Sequence, residues 1–187
     1  MAEKRKNWNG LISGFSASDL VFLDESGCNT DMTRRYAYSF GGSRAVDSTP
    51  LSKPKNTTIL SSIQLNGTLH YTIFSGGTTV ERFKRYLETD LLPHLNGNSV
   101  LVMDNMKSHH AKAVKELLDS SGVRYIYLPP YSPDLNPIEK LWSKVKALLR
   151  KFKARTLDAL PNAIQNAFHS VTVSDCSGWF RFCGYAL

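Results

Sequence analysis

The stretch from Val100 to Arg150 constrains this chain more than any other. It opens on four consecutive apolar residues, Val100 to Met103, that stop at Asp104. A half-buried strand alternates apolar and polar side chains, so an unbroken run implies a strand covered on both faces, with Asp104 at its mouth. At the far end, Asn136-Pro137-Ile138-Glu139 carries the residue types of a helix start. Asn136 suits the N-cap, Pro137 the first helical position, and Glu139 the third, from which a carboxylate can reach back to the cap amide. Leu141, Trp142, Val145, Leu148 and Leu149 continue at helical spacing. Before them, Pro129-Pro130-Tyr131-Ser132-Pro133 excludes regular structure and predicts a rigid loop that delivers the chain to Asn136.

A second apolar run, Leu20 to Leu23, also ends in a carboxylate, Asp24. If the two strands lie side by side and parallel, their ends stand about 4.8 Å apart, close enough for Asp24 and Asp104 to share a divalent ion. Each acidic residue also suits an ordinary local role. Asp24 can cap a turn into Glu25-Ser26-Gly27, Asp104 can form an Asx turn with Asn105, and a third-position Glu139 is common helix chemistry. Trp142, one turn beyond Glu139, reads as core packing.

Three blocks carry a resemblance. FLDESG around Asp24, MDN at Asp104 with His109 five residues on, and LPPYSPDLNPIEKLW around Glu139 resemble the signature blocks of DDE transposases of the mariner group and its related bacterial insertion sequences. Asp104 and Glu139 are separated by 34 residues, the spacing of that type, and the likeness runs from about Leu20 to Lys151. The resemblance implies an α/β, ribonuclease-H-like fold: a mixed five-stranded sheet flanked by helices, with its first and fourth strands adjacent. It implies that Asp24, Asp104 and Glu139 are catalytic and bind two Mg²⁺ ions, with Mn²⁺ able to substitute. The implied activity is cleavage of double-stranded DNA at transposon ends followed by strand transfer into target DNA, by a homodimer assembled on the DNA. Asn105, His109 and Asn136 are expected behind the metal ligands or against DNA. Alternative expectations are a nuclease without strand transfer and an inactive remnant that acts as a basic DNA-binding protein. Such transposases usually carry N-terminal helix-turn-helix modules. Here residues 1–19 read as a flexible basic segment and 20–187 as the catalytic domain, so a helix-turn-helix product of an upstream reading frame is an expected partner.

The charge balance agrees with a polyanionic partner, since the 187 residues carry a net charge of +7. Arg35, Arg44, Lys140, Lys144, Lys146, Arg150 and Lys151 are the expected phosphate contacts. Cys28, Cys176 and Cys183 are too few and too irregular for a disulfide framework or zinc site. With no signal-peptide pattern and no long apolar run, the expected location is inside the cell, in cytoplasm and nucleoid or in a nucleus, and away from membranes. Around the blocks, the pattern predicts a short strand over 35–40 and a hairpin of 57–65 with 68–74 about Asn66-Gly67. It further predicts helices over 79–92, 111–118 and 157–169, and a strand over 123–128. The aromatic tail from Trp179 to Tyr185 has no evident place.

Overall fold

The computed structural model describes residues 2–34, 36–48, 50–51 and 54–185. Its centre is a five-stranded sheet in the order β3-β2-β1-β4-β5. The strands are β1 (Leu20–Cys28), β2 (Thr57–Gln64), β3 (Leu69–Ser75), β4 (Val100–Met103) and β5 (Arg124–Tyr127). β1 runs antiparallel to β2 and parallel to β4, which runs parallel to β5, so the sheet is mixed.

Burial on both faces explains the two unbroken apolar runs. Leu20, Phe22, Val100 and Val102 point into one core, shared with Ile138, Trp142, Val145, Ile164 and Phe180. Val21, Leu23, Leu101 and Met103 point into the other, with Phe83, Tyr86, Val114 and Leu118. The helices α4 (Ile138–Phe152), α5 (Ala159–His169) and α6 (Val173–Phe182) cover the first face; α2 (Val80–Tyr86) and α3 (Lys112–Ser121) cover the second. With alternate side chains sent to opposite sides, a strand segment covered on both faces takes apolar residues at every position, as all of β4 does and as β1 does over Leu20–Leu23 before it continues through Asp24 to Cys28.

The expected hairpin forms, with a different turn. Only Gly67 takes positive φ (88°), while the Asn66 side chain accepts the Thr68 amide at 2.9 Å. Gly67 N–H bonds to Gln64 O and Gln64 N–H to Thr68 O, each at 3.1 Å, which makes a three-residue loop with its left-handed residue last. The helix expected over 79–92 begins at its Thr79 cap and widens into a π turn at Leu87–Leu91. Pro93 accounts for the disturbance, because its ring crowds the carbonyl of Thr89 and it has no amide to donate.

Two expectations are corrected, and the tail, which the sequence leaves unplaced, finds its position. Residues 2–12, read as part of a flexible segment, form the helix α1 (Ala2–Ile12), whose Trp8 is buried and whose Ile12 packs with Phe15 against the first core. The spacing of Trp8, Ile12 and Phe15 is that of one helix face, and a few apolar residues suffice when a core is there to receive them. No strand forms among the described residues of 35–40. Tyr36, Tyr38 and Phe40 are exposed, and β1 already has β2 and β4 as neighbours, so the segment finds no ladder there to join. The tail is α6, held at its start by a capping box between Thr172 and Asp175. Phe180 and Tyr185 then pack on Phe22, with ring centroids 5.4 and 5.0 Å away.

Candidate active site

The parallel register of β1 and β4 creates the site. Leu23 lies opposite Met103, so Asp24 and Asp104 are the next residues just past the last pair of the parallel ladder; β4 ends there, while β1 runs on through Asp24 to Cys28 against β2, further than the apolar run predicts. This is the adjacency that a shared ion requires. Glu139 enters from the first turn of α4, and all three carboxylates line one cavity of about 460 Å³.

Each carboxylate has its own environment. Asp24 is 8% exposed, and its Oδ2 accepts a hydrogen bond from Trp142 Nε1 at 3.0 Å. Burial pushes its pKa up to about 7; the Glu25 amide and Trp142 pull the other way, while Glu139 and Asp104 push further upward. Asp104 is half-exposed, and its Oδ1 accepts the Met106 amide at 3.0 Å and lies 2.8 Å from Nδ1 of His109. Burial opposes its ionisation, but His109, the Met106 amide and His110 together hold it below the usual carboxylate range.

His109 is fully buried, with its ring stacked on Phe83 at 4.2 Å and its Nε2 without a partner among the described residues. With Nδ1 donating to Asp104, the ring fixes that carboxylate from behind. Asn105 instead ties loops together: its Nδ2 donates to Leu128 O, and its Oδ1 lies 3.3 Å from His110 Nε2.

At the start of α4 the expected capping box is absent. Asn136 ends a 3₁₀ turn (Pro133–Leu135), Pro137 is already helical, and no side chain caps the helix. The Glu139 amide bonds to Asn136 O at 3.1 Å, so the backbone does what the side chain was expected to do. Asn136 is buried on the cavity wall, its Oδ1 unpartnered among the described residues, and Glu139 is exposed there, free of the cap.

The donors are all oxygens, the type that Mg²⁺ and Mn²⁺ take. Among the described residues, no three His, Cys, Asp or Glu side chains converge closely enough to hold an ion as they stand. Clustered carboxylates repel one another, and Asp104 is turned onto His109, 2.8 Å from its Nδ1.

A family model described as DDE superfamily endonuclease matches residues 19–161. The chain belongs to that family. Among curated proteins it is similar to the Tc1 transposase of Caenorhabditis elegans, 29% identical over 97 residues, covering 50% of this chain and 36% of that protein. It is also 32% identical over 75 residues to the Tcb2 transposase of Caenorhabditis briggsae, covering 40% of this chain and 28% of that one. Among solved structures, the transposase chain of a pre-cleavage Mos1 transpososome superposes with a TM-score of 0.80 at 20% identity, over 96% of this chain and 58% of that chain. The Mos1 catalytic domain solved with raltegravir and Mg gives 0.72 at 18% identity, over 96% of this chain and 87% of that one. The fold is therefore ribonuclease-H-like. The curated matches span well under half the length of those relatives.

In this DDE endonuclease domain the expected phosphate contacts scatter. None of the cations among the described residues lines the carboxylate cavity. Lys144 is a structural tie, donating to Asp175 and, at 2.9 Å, to Ser170 O. Lys140 sits 3.8 Å from the centre of the Phe182 ring. Lys146 and Arg150 line a separate polar cleft with Asn29 and Asn56, while Arg44 and Lys151 are exposed. Arg35 lies outside the described residues. Three supports were not foreseen: Trp142 as the holder of Asp24, Phe83 under His109, and Arg5, whose Nη1 reaches Ser132 Oγ at 3.3 Å and Asp134 Oδ1 at 3.0 Å. Only Trp142 had a sequence signal, its position one turn from Glu139 on the same helix face.

Proposed function

We propose that this chain carries the catalytic domain of a mariner-type transposase, which cuts double-stranded DNA at the ends of an element and joins the exposed 3′ hydroxyl to target DNA. The observation that carries the reading is the placement of Asp24 and Asp104 side by side just past the parallel ladder of β1 with β4, with Glu139 lining the same cavity, inside the span matched by the family.

Asp24, Asp104 and Glu139 are the residues that would hold Mg²⁺ or Mn²⁺, two ions in this reading. Bound there, such ions supply activation of water or a 3′ hydroxyl and absorb charge on the leaving oxygen. The chain's own part is positional. Trp142 holds Asp24 through Oδ2, and His109 with the Met106 amide holds Asp104 through Oδ1. α4 presents Glu139 from a helix anchored in the core, which excludes water from behind the site. Of the solved neighbours, Mos1 paired-end complexes hold Mn and Mg, and another is a strand-transfer complex.

Two further features support assembly on DNA. Between β1 and β2 the chain leaves Tyr36, Tyr38, Phe40, Val46 and Leu51 exposed, apolar surface that suits a second copy of the chain. The net charge of +7 suits the phosphate backbone, with Arg44, Lys146, Arg150 and Lys151 as its contacts. Recognition of particular end sequences is assigned to a helix-turn-helix segment encoded upstream.

The test is cleavage of a plasmid carrying the element's ends with Mg²⁺, Mn²⁺ or EDTA, for wild type and Glu139→Gln. The expected result is metal-dependent nicking that falls by roughly a thousandfold or more in the variant, with DNA binding retained. Joined products separate a transposase from a nuclease. Nicking that persists in EDTA or in Glu139→Gln would overturn the reading.

A further inference from the structure

We propose that Tyr131 is a stacking platform for an unpaired nucleobase of the DNA strand held at the carboxylates, an inference that rests on the reading above. Tyr131 lines the same cavity as Asp24, Asp104 and Glu139, and the residue is 88% exposed. Its backbone is left-handed, with φ 56°. The only other non-glycine residue of that kind among those described, Lys153, closes a helix, where such a conformation is ordinary. At Tyr131 no helix end accounts for it.

The loop is tied on both sides of this residue. Asn105 holds Leu128 O before it; Arg5 grips Ser132 and Asp134 after it; and Ser132 Oγ reaches Pro130 O at 3.4 Å. Pro130 and Pro133 narrow the choices of the residues that precede them. A β-carbon forced into the left-handed region and a large ring left in water are both unfavourable. Among the described residues, the ring makes no hydrogen bond and no aromatic contact that returns anything. The frame holds a flat apolar surface at the mouth of the cavity.

Charge explains what such a surface adds. The cavity wall is acidic and carries no cation among the described residues, so its own field disfavours a phosphate until metal is present. Stacking a base on an aromatic ring adds affinity without charge, and tolerates any base, because every base has a π face. The ligand is a nucleobase out of its pair, either from a cut end or drawn from an intact helix.

The experiment uses the full chain in Ca²⁺, with two duplexes carrying 5-iodouracil, one at an unpaired 3′ end and one inside an intact helix. Irradiation crosslinks the halogenated base to an aromatic ring stacked on it, and peptide mapping locates the bond. The expected result is a crosslink at residue 131 in wild type and Tyr131→Phe, and its loss in Tyr131→Ala and Tyr131→Gly with roughly tenfold weaker binding of the labelled DNA. Tyr131→Gly accepts the left-handed backbone without strain, so its loss of binding cannot come from a collapsed loop. The duplex that crosslinks tells a cut end from an extruded base. DNA bound in a salt-dependent way with no crosslink at 131 in either duplex, or with unchanged affinity in Tyr131→Gly, overturns the inference alone. Absence of salt-dependent DNA binding by wild type overturns the parent reading and this inference with it.

Discussion

Trp142 Nε1 donates to Asp24 Oδ2 across 3.0 Å, joining residues 118 positions apart in the chain. α4 therefore sets two carboxylates at once: it carries Glu139 in its first turn, and one turn later it fixes Asp24. Because the Trp142 indole is buried in the core, the helix cannot rotate to move Glu139 without also breaking the bond to Asp24.

Trp142→Phe keeps an aromatic ring but removes the only side-chain donor to Asp24 among the described residues. The loss of a hydrogen bond to a buried charged group costs about 2 kcal/mol. Since the N–H favours the ionised carboxylate, the fall in melting temperature in EDTA should be larger at pH 8 than at pH 5. Metal affinity, read by Mn²⁺ electron paramagnetic resonance, should drop roughly tenfold or more, as for other partners of metal ligands. An unchanged Mn²⁺ affinity would show that Trp142 only packs.

Asp24 makes the metal-free protein less stable as the pH rises. Its folded-state pKa is raised from 3.8 to about 7, chiefly by burial, so the native state holds a proton that the unfolded chain has already released. The stabilising contribution is complete below pH 3.8 and is lost as pH rises through about 7. Its full size is on the order of 4 kcal/mol. Asp24→Asn has no charge to desolvate, so in EDTA it should melt above wild type at pH 8, with the gap closing toward pH 4. Mg²⁺ should narrow the gap by stabilising wild type alone. Parallel stability curves for the two proteins between pH 4 and pH 8 would refute this.

The sequence displayed the chemistry of the site more fully than its mechanics. Apolar runs stopping at Asp24 and Asp104 were legible because strand segments buried on both faces exclude polar residues, but that β1 runs on past Asp24 to Cys28 was not. Adjacency of those strands was not legible, since pairing is a long-range choice, and it came from the resemblance. The capping box at Asn136 was a correct reading of local preference overruled by the 3₁₀ turn before it. α1 was missed because Lys4, Arg5 and Lys6 look solvated, while the pocket that receives Trp8 is assembled by residues far along the chain, Leu135 and Tyr185 among them. Lys144 looked like one more cation in a basic run, and only the capping box at Thr172 places Asp175 beside it.

Lys144 and Lys151 should therefore part company. Lys144→Ala removes a partly buried tie between α4 and the start of α6, lowering stability by about 1 kcal/mol and leaving the salt dependence of DNA binding unchanged. Lys151 is exposed, and Lys151→Ala should leave the melting temperature alone while flattening the slope of log affinity against log salt by about one. Equal slopes for both variants and wild type would remove Lys151 from the interface, and a flattened slope in Lys144→Ala would return Lys144 to it.

The last relationship is between α1 and the loop before Glu139. Trp8 is buried, and Trp8→Ala should cost about 3 to 5 kcal/mol, as for other large core aromatics. Arg5 is different: it holds Ser132 and Asp134 at the surface, so Arg5→Ala should barely alter global stability. What it should change is local. Amide hydrogen exchange over residues 131–136 should quicken while exchange in β1 and β4 stays at the wild-type rate. Cleavage should fall in step, because the loop forms part of the cavity wall and delivers Glu139 to it. If exchange over 131–136 is the same in Arg5→Ala and wild type, the prolines alone hold the loop and the contact with α1 is incidental.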